Sequence, residues 1–417
     1  MSRRGVVRVP GDKSISHRAL ILAALATGES RISGILQSAD VASTAAALRT
    51  LGAGIPDLAD EMSIEGKGLR GLTAPTGDVD AGNSGTTVRL MSGVVAAHPF
   101  STRFIGDASL SRRPMKRISE PLTEMGARFE FARGDGLPMT VHGGRLSGIS
   151  WNTRAASAQT KSALLLAGLV AGVPVSVRES RKSRDHTERM LTSLGATVTT
   201  DELTASLSPV DSIGPLDLTV PGDPSSASYF VALAILGDIA VELPEVCLNK
   251  TRIGFFETMK RMGATLDCTD KTAMGGDAVA TVKASGSVLS SIALGSAEMP
   301  SMIDELPLLA CVAAGAGIEV EVRGAGELRV KESDRIAAVV SNLQAIGATA
   351  EELDDGFVVR GRGNPLAGRV TTHGDHRIAM SFGVLASLRG NSIEVDDRDC
   401  VAVSYPRFWA DLERLSH

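Results

Sequence analysis

Val9-Pro10-Gly11-Asp12 is followed by Lys13-Ser14-Ile15-Ser16, and about half a chain later Val220-Pro221-Gly222-Asp223 is followed by Pro224-Ser225-Ser226-Ala227-Ser228. In each copy an apolar residue runs into a Pro-Gly-Asp turn and then a serine-rich start, which reads as strand, turn, helix. Two such openings in a chain of 417 residues predict two related halves joined at these turns. The predicted boundaries place 1–11 and 223–417 in one domain, built from both chain ends, and 12–222 in a second, continuous domain.

Working outward from the turns, a finer repeat emerges. Six segments begin with a polar or charged residue and run into a helix of small apolar side chains. They start at Lys13-Ser14, Asn83-Ser84, Ser157, Ser225, Ser301 and Asp375-His376, with a spacing of about 70 residues. Helices apolar around most of their circumference belong in a core. Interleaved with them are amphipathic helices that end at Gly52-Ala53, Gly126-Ala127, Gly195-Ala196, Gly263-Ala264 and Gly347-Ala348. Gly there suits a left-handed helix terminus. A sixth such helix is expected over Pro406–Leu415. Each repeat then reads strand, buried helix, strand, outer helix, strand, strand. The expected fold class is α/β, with three such units per half closed around their buried helices and a ligand cleft between the halves.

Composition narrows the function. Aromatic residues make up 3% of the chain, too few for a surface that stacks nucleic-acid bases. The net charge of −5 supplies no global field for a polyanion, so any anion site must be local. Cys247, Cys268, Cys311 and Cys400 lie far apart, without metal-ligand spacing, and read as reduced thiols. The N-terminus has no apolar signal region. The longest apolar stretch, around Ala163–Val177, is broken by Gly168, Gly172 and Pro174 and is too short to cross a bilayer. A cytoplasmic protein is expected.

The basic residues have an unusual distribution. Helix N-termini carry partial positive charge, so a cation there is unfavourable by about 0.3–1 kcal/mol. Yet Lys13, Arg18, Arg89, Lys161, His376 and Arg377 fall at or near the starts of buried helices. Arg112 and Arg113, then Arg181, Lys182 and Arg184, precede outer helices, and Lys331 and Arg335 flank Ser333, read as an N-cap. A bound anion reverses the sign of this arrangement, because helix N–H groups and guanidinium groups then act together. Gly85, in Asn83-Ser-Gly-Thr-Thr87, allows close backbone approach to a ligand. Acidic residues break the pattern at Asp304-Glu305 and at Glu332. Carboxylates among so many cations stay ionised and can move protons. Other chemistries find little support. His373 and His376 lack a third metal ligand, the Asp-His pairs at 185–186 and 375–376 lack a nucleophile, and no dinucleotide or Walker-type fingerprint is present.

The strings Lys13-Ser-Ile-Ser-His-Arg18, Gly82-Asn-Ser-Gly-Thr-Thr-Val-Arg89, Ser157-Ala-Gln159, Arg184-Asp-His-Thr187, Val330-Lys-Glu-Ser-Asp-Arg335 and Gly374-Asp-His-Arg377 resemble the EPSP synthase (3-phosphoshikimate 1-carboxyvinyltransferase) family from Val9 to near Pro406. The resemblance implies a two-domain inside-out α/β barrel, each domain made of three βαβαββ repeats, closing on its substrates. It implies enolpyruvyl transfer from phosphoenolpyruvate to the 5-hydroxyl of shikimate 3-phosphate, with no metal or organic cofactor. The implied shikimate 3-phosphate ligands are Lys13, Ser14, Arg18, Ser157, Gln159, Arg184, Asp304 and Lys331. Those implied for phosphoenolpyruvate are Lys13, Gly85, Arg89, Arg113, Gln159, Arg335, His376 and Arg377. Asp304 is the implied base, Glu332 the implied proton donor, with Lys13 assisting catalysis. The expected partners are these small molecules, with no nucleic acid and no membrane, acting on a monomer.

Three positions depart from the family pattern. Val403 stands where many members carry a Lys, Glu327 where some carry Asn, and Ala158 where others have a second Ser. Gly85 is where a larger side chain would crowd the inhibitor glyphosate, so sensitivity is expected. The nearest alternative is the sister transferase acting on UDP-N-acetylglucosamine. It usually presents a reactive Cys in its first domain, but no Cys precedes Cys247 here. A sliding-clamp-like DNA-binding ring is the alternative from another class, but it would spread its Lys and Arg along helix faces instead of at helix starts.

Overall fold

The computed structural model describes every residue except 1, 2, 155, 238, 364 and 417. The chain divides into two compact units. One, the continuous unit, comprises Gly11–Val220 with Met274–Asp277; the other, the two-ended unit, comprises the chain up to Pro10, Pro221–Ala273 and the chain from Ala278. Relative to the boundaries read from sequence, Gly11, Pro221 and Gly222 change sides, and Met274–Asp277 groups with the continuous unit.

The continuous unit contains helices α1 (Lys13–Leu25), α2 (Ala39–Thr50), α3 (Gly85–Ala96), α4 (Lys116–Met125), α5 (Ala158–Ala171) and α6 (His186–Ser193). The two-ended unit contains α7 (Pro224–Gly237), α8 (Gly254–Arg261), α9 (Met299–Met302), α10 (Leu306–Ala316), α11 (Arg335–Ala345), α12 (His376–Ala386) and α13 (Phe408–Ser416). The six segments expected to be buried are α1, α3, α5, α7, α10 and α12, and nearly every side chain on them is removed from solvent. The outer helices end where the Gly-Ala pairs place them. Gly52, Gly126, Gly195, Gly263 and Gly347 all have positive φ, between 86° and 121°, a conformation that side chains with a Cβ resist.

The sheets repeat one plan. Val79–Asp80 runs parallel to Ser101–Ile105, which pairs antiparallel with Met139–His142, which pairs in turn with Arg128–Phe131. The parallel pair requires a crossover, and α3 supplies it. Ser101–Ile105 alternates exposed and buried residues, the signature of a sheet with one face on a core. The same order recurs in the sheets containing Val175–Arg178 and Glu319–Val322.

At the two Val-Pro-Gly-Asp turns the repeat is not contiguous. Arg3–Val6 precedes α1, yet it pairs in parallel with Ile239–Cys247, the strand after α7. Asp217–Thr219 precedes α7, yet it pairs in parallel with Glu29–Ser33, the strand after α1. The first and fourth repeats therefore exchange their opening strands. The last repeat has a two-stranded sheet, Ala367–Val370 with Ser392–Val395, and α13 follows it. The turn glycine is sterically required in the first copy, where a Cβ on Gly11 would lie 2.1 Å from the Gly34 carbonyl oxygen.

The two-ended unit packs α7, α10 and α12 together, with Tyr229, Phe230, Tyr405 and Phe408 in edge-to-face and tilted contacts. Edge contacts of this kind match the quadrupoles of neighbouring rings. Sequence reading located the longest apolar stretch at Ala163–Val177. Among the described residues the one run long and apolar enough to cross a membrane is instead Met299–Ala316, and two-thirds of it (67%) is buried within the fold, as expected of a core segment.

Candidate functional site

In the continuous unit the helix starts carry the predicted basic residues, and each is fixed by a local device. The Asp12 side chain accepts from the Ile15 amide at 2.9 Å and caps α1. That cap sets Lys13 on the first turn, where its Nζ lies 2.6 Å from Asp40 Oδ2 at the start of α2. Arg18 is buried. It donates to the Ser14 carbonyl (2.9 Å), Thr187 Oγ1 (2.7 Å) and Ser162 Oγ (2.7 Å), tying α1 to α5 and α6. Arg184 Nη1 lies 3.5 Å from Ser14 Oγ. Ser14, Arg18 and Arg184 thus form one group.

A second group gathers at α3 and α5. Ser84 caps α3 and Ser157 caps α5, accepting from the amides of Thr87 and Thr160. Arg89 Nη1 donates to Gln159 Oε1 at 2.8 Å, and Gln159 Nε2 donates to Thr86 Oγ1 at 3.1 Å. Arg113 Nη2 donates to Asn83 Oδ1 at 2.7 Å. A Cβ on Gly85 would meet Arg89 Nη1 at 2.7 Å and Arg113 Nη1 at 3.5 Å, so Gly85 gives both guanidinium groups their room. Beneath this group His17 hydrogen-bonds Thr44, Thr44 hydrogen-bonds Thr87, and Thr87 donates to Ser84. Burial, reinforced by Lys13 and Arg18, pushes the His17 imidazole well below its usual range, so this chain from α1 to α3 is a neutral support.

One expectation fails here. Lys161 does not face a ligand. Its Nζ is buried between Glu179 Oε2 (2.6 Å) and Glu188 Oε1 (2.8 Å). Burial opposes its charge, but Glu188 and then Glu179 raise its pKa above the ordinary value. Its charge is spent inside the fold.

In the two-ended unit the predicted residues converge on Arg335. This buried guanidinium donates to Asp375 through Nε (2.8 Å) and Nη2 (3.2 Å), to Asp304 Oδ1 through Nη1 (3.2 Å) and to Glu332 Oε2 through Nη2 (2.6 Å). Those contacts leave a single N–H on Nη1 for any further acceptor. Burial would lower its pKa, but Asp375, Glu332 and Asp304 together raise it. Asp304 Oδ1 also accepts from Lys331 Nζ at 3.2 Å. The cap of α11 is Asp334, which accepts from the Ala337 amide, in place of the expected Ser333. Ser333 instead donates to Asp375 Oδ2 at 2.9 Å. Asp375 caps α12 by accepting from the Arg377 amide at 2.9 Å, and so presents His376 and Arg377 on the first turn. Arg377 Nη1 reaches the Tyr229 hydroxyl at 3.4 Å and Glu305 Oε1 at 3.9 Å.

Sequence reasoning left Tyr229 out of the site and treated Asp375 only as half of an Asp-His pair. Tyr229 lies in an apolar helix that reads as pure core, and only the fold reveals that its hydroxyl meets Arg377. Of the departing positions, Val403 is half-buried in the 3₁₀ turn Asp399–Val403, and Glu327 is exposed in the turn Gly326–Val330. Among the described residues no group of three or more His, Cys, Asp or Glu is placed to hold a metal. These groups of basic side chains, one of them beside the carboxylates of Asp304 and Glu332, suit binding and proton transfer on small anionic molecules.

Comparison with known proteins gives a consistent picture. Residues 2–412 match the family described as EPSP synthase (3-phosphoshikimate 1-carboxyvinyltransferase). A protein of Sulfurihydrogenibium sp. (strain YO3AOP1) named 3-phosphoshikimate 1-carboxyvinyltransferase is 45% identical, with 99% of this chain and 97% of that protein aligned. The structure of EPSP synthase from Acinetobacter baumannii superposes with a TM-score of 0.87 at 38% identity, covering 99% of this chain and 96% of that one. The enolpyruvyl transferase NikO from Streptomyces tendae, at 18% identity and 99% and 95% coverage, has a TM-score of 0.77 and shares the fold.

Proposed function

The chain belongs to the EPSP synthase family, and from that membership we infer that it is an enzyme transferring the enolpyruvyl group of phosphoenolpyruvate to the 5-hydroxyl of shikimate 3-phosphate, releasing phosphate. The observation that carries this reading is the match along almost the whole chain. The helix-start cations described above support it, because the two substrates together bring two phosphates and two carboxylates to be held. We place the enzyme in the cytoplasm, as a monomer that binds neither nucleic acid nor membrane.

In this proposal Lys13, Ser14, Arg18, Ser157, Gln159 and Arg184 hold shikimate 3-phosphate, with Asp304 and Lys331 at its reacting end. Lys13, Gly85, Arg89, Arg113, Gln159, Arg335, His376 and Arg377 hold phosphoenolpyruvate. Asp304 takes the proton of the 5-hydroxyl as its oxygen attacks the enol carbon, and Glu332 delivers a proton to the methylene carbon. The tetrahedral adduct then loses that carbon's proton and expels phosphate, restoring the double bond. Lys331 and Arg335 both donate to Asp304 Oδ1 and so fix the orientation of the base for the attack. Orientation of two anions by fixed guanidinium groups supplies the rest of the rate gain.

The direct test mixes the protein with both substrates and follows phosphate. Release that requires both substrates is expected; no release, or release without shikimate 3-phosphate, defeats the reading. Glyphosate is expected to compete with phosphoenolpyruvate. The variant Gly85→Ala is expected to push Arg89 away from Gln159, because the new methyl would lie 2.7 Å from Arg89 Nη1. We expect its KM for phosphoenolpyruvate to rise about tenfold with kcat nearly unchanged, the mark of lost uniform binding. Steady-state kinetics with each substrate varied in turn checks this.

A further inference from the structure

Glu305 stands beside the proposed base, but the mechanism above does not use it. It ends the 3₁₀ turn Ile303–Glu305 that leads into α10 and is buried. Among the described residues its Oε1 finds no hydrogen-bond partner, although Arg377 Nη1 lies 3.9 Å away. The charged and polar groups facing it are Arg377 on α12, Asp304 beside it in the chain, Arg252 ahead of α8, and Ser225 on α7. Tyr229, also on α7, accepts from the same Arg377 nitrogen at 3.4 Å. Arg252 is itself engaged by Asp223 Oδ1 and Ser225 Oγ, each at 3.0 Å.

We propose that Glu305 is a positioning residue for the transfer: it is the counter-charge that Arg377 holds until the anionic substrate arrives, and it takes up a proton from solvent when that substrate replaces it. The proposal rests on the assignment of Arg377 to phosphoenolpyruvate. A buried carboxylate with one oxygen lacking a hydrogen bond tolerates its charge only through nearby cations. At 3.9 Å the pair is loose enough for an incoming carboxylate or phosphate to take the bidentate face of the guanidinium. Glu305 would then sit beside Asp304 and a bound anion with its compensating charge taken. Its neutral form is the stable one in that setting. The direction already present in the unliganded protein agrees, since burial raises the Glu305 pKa while Arg377 opposes the rise. No bond to carbon is made or broken in this step; a solvent proton joins one carboxylate oxygen.

The sign follows directly. If binding takes up a proton, affinity is greatest where Glu305 is already protonated and weakens as pH rises through its pKa. The KM for phosphoenolpyruvate is therefore measured from pH 6 to 9 for wild type and Glu305→Gln. Comparing the two profiles removes the ionisation of the substrate itself. The ratio of wild-type to variant KM is expected to grow by about tenfold across the range, one unit of pKa change being a tenfold effect. Parallel profiles overturn the proposal. Tyr229→Phe removes the hydroxyl at Arg377 but keeps Glu305, so it should raise KM by a similar factor at every pH; loss of the pH dependence in that variant also overturns it. Should Glu305→Gln not fold, calorimetric titration of the wild type with phosphoenolpyruvate alone, in buffers of different ionisation enthalpy, reads proton uptake directly, and zero uptake refutes the proposal. An absence of phosphate release in the wild-type assay would sink the assigned reaction, whereas wild-type turnover with parallel KM profiles would sink only the role of Glu305.

Discussion

Asp304→Asn is expected to lower kcat by about 10²–10⁴-fold, the usual worth of a positioned general base, while KM for both substrates stays level or falls. The second half of this expectation comes from the charge balance at the site. Asp304 accepts from Lys331 and from Arg335, each at 3.2 Å. Asn keeps an oxygen that can accept both contacts, so the two cations stay in place. It removes a negative charge from a group that must admit anions, so binding has no reason to weaken. A fall in kcat and kcat/KM without a rise in KM marks an interaction needed only in the transition state. If Asp304 served only to hold Lys331 and Arg335, the Asn variant would retain activity within a few-fold. Initial rates of phosphate release, with each substrate varied in turn, separate these outcomes.

Lys161→Met is expected to be the most damaging substitution for stability, although it touches no proposed ligand. Lys161, Glu179 and Glu188 are all nearly inaccessible, with side-chain exposures of 2–4%. Removing the one cation leaves two carboxylates facing each other across a nonpolar gap. Breaking a single buried pair in this way costs about 3–5 kcal/mol. The measurement is a urea transition at unchanged slope, read as the shift in midpoint. Lys161→Arg, which keeps the charge, should recover part of the loss. A Met variant as stable as wild type would mean that the glutamates find other compensation.

How much of this was readable in the sequence depended on the range of each interaction. The six buried helices and the glycines that end the outer ones were legible, because apolar periodicity and a left-handed helix terminus are properties of a few adjacent residues. That Arg89, Arg113, Gln159 and Gly85 serve one site was implied by the family resemblance, since helix starts alone mark each residue without saying which others it meets. Lys161 was misread because its partners Glu179 and Glu188 lie just after the next strand and on the next helix, and nothing near Lys161 announces them. Ser333 and Asp334 are both good capping residues; Asp334 takes the cap while the Ser333 hydroxyl donates to Asp375, 42 positions later. The exchange of opening strands was invisible for the same reason, since Arg3–Val6 and Ile239–Cys247 meet across more than half the chain.

That exchange has a consequence for the order in which the molecule can be made. A ribosome delivers Arg3–Val6 long before Ile239–Cys247, the strand it pairs with. The leading segment must therefore remain unpaired while the next two hundred or so residues are synthesised. In the continuous unit Glu29–Ser33 waits nearly as long for Asp217–Thr219, 186 positions later at Ser33 and Thr219, but it has Glu61–Glu65 paired on its other side in the meantime. The leading strand is short, with Arg4 on it and Arg8 just beyond it; shortness and charge are features by which an unpaired edge avoids joining other chains.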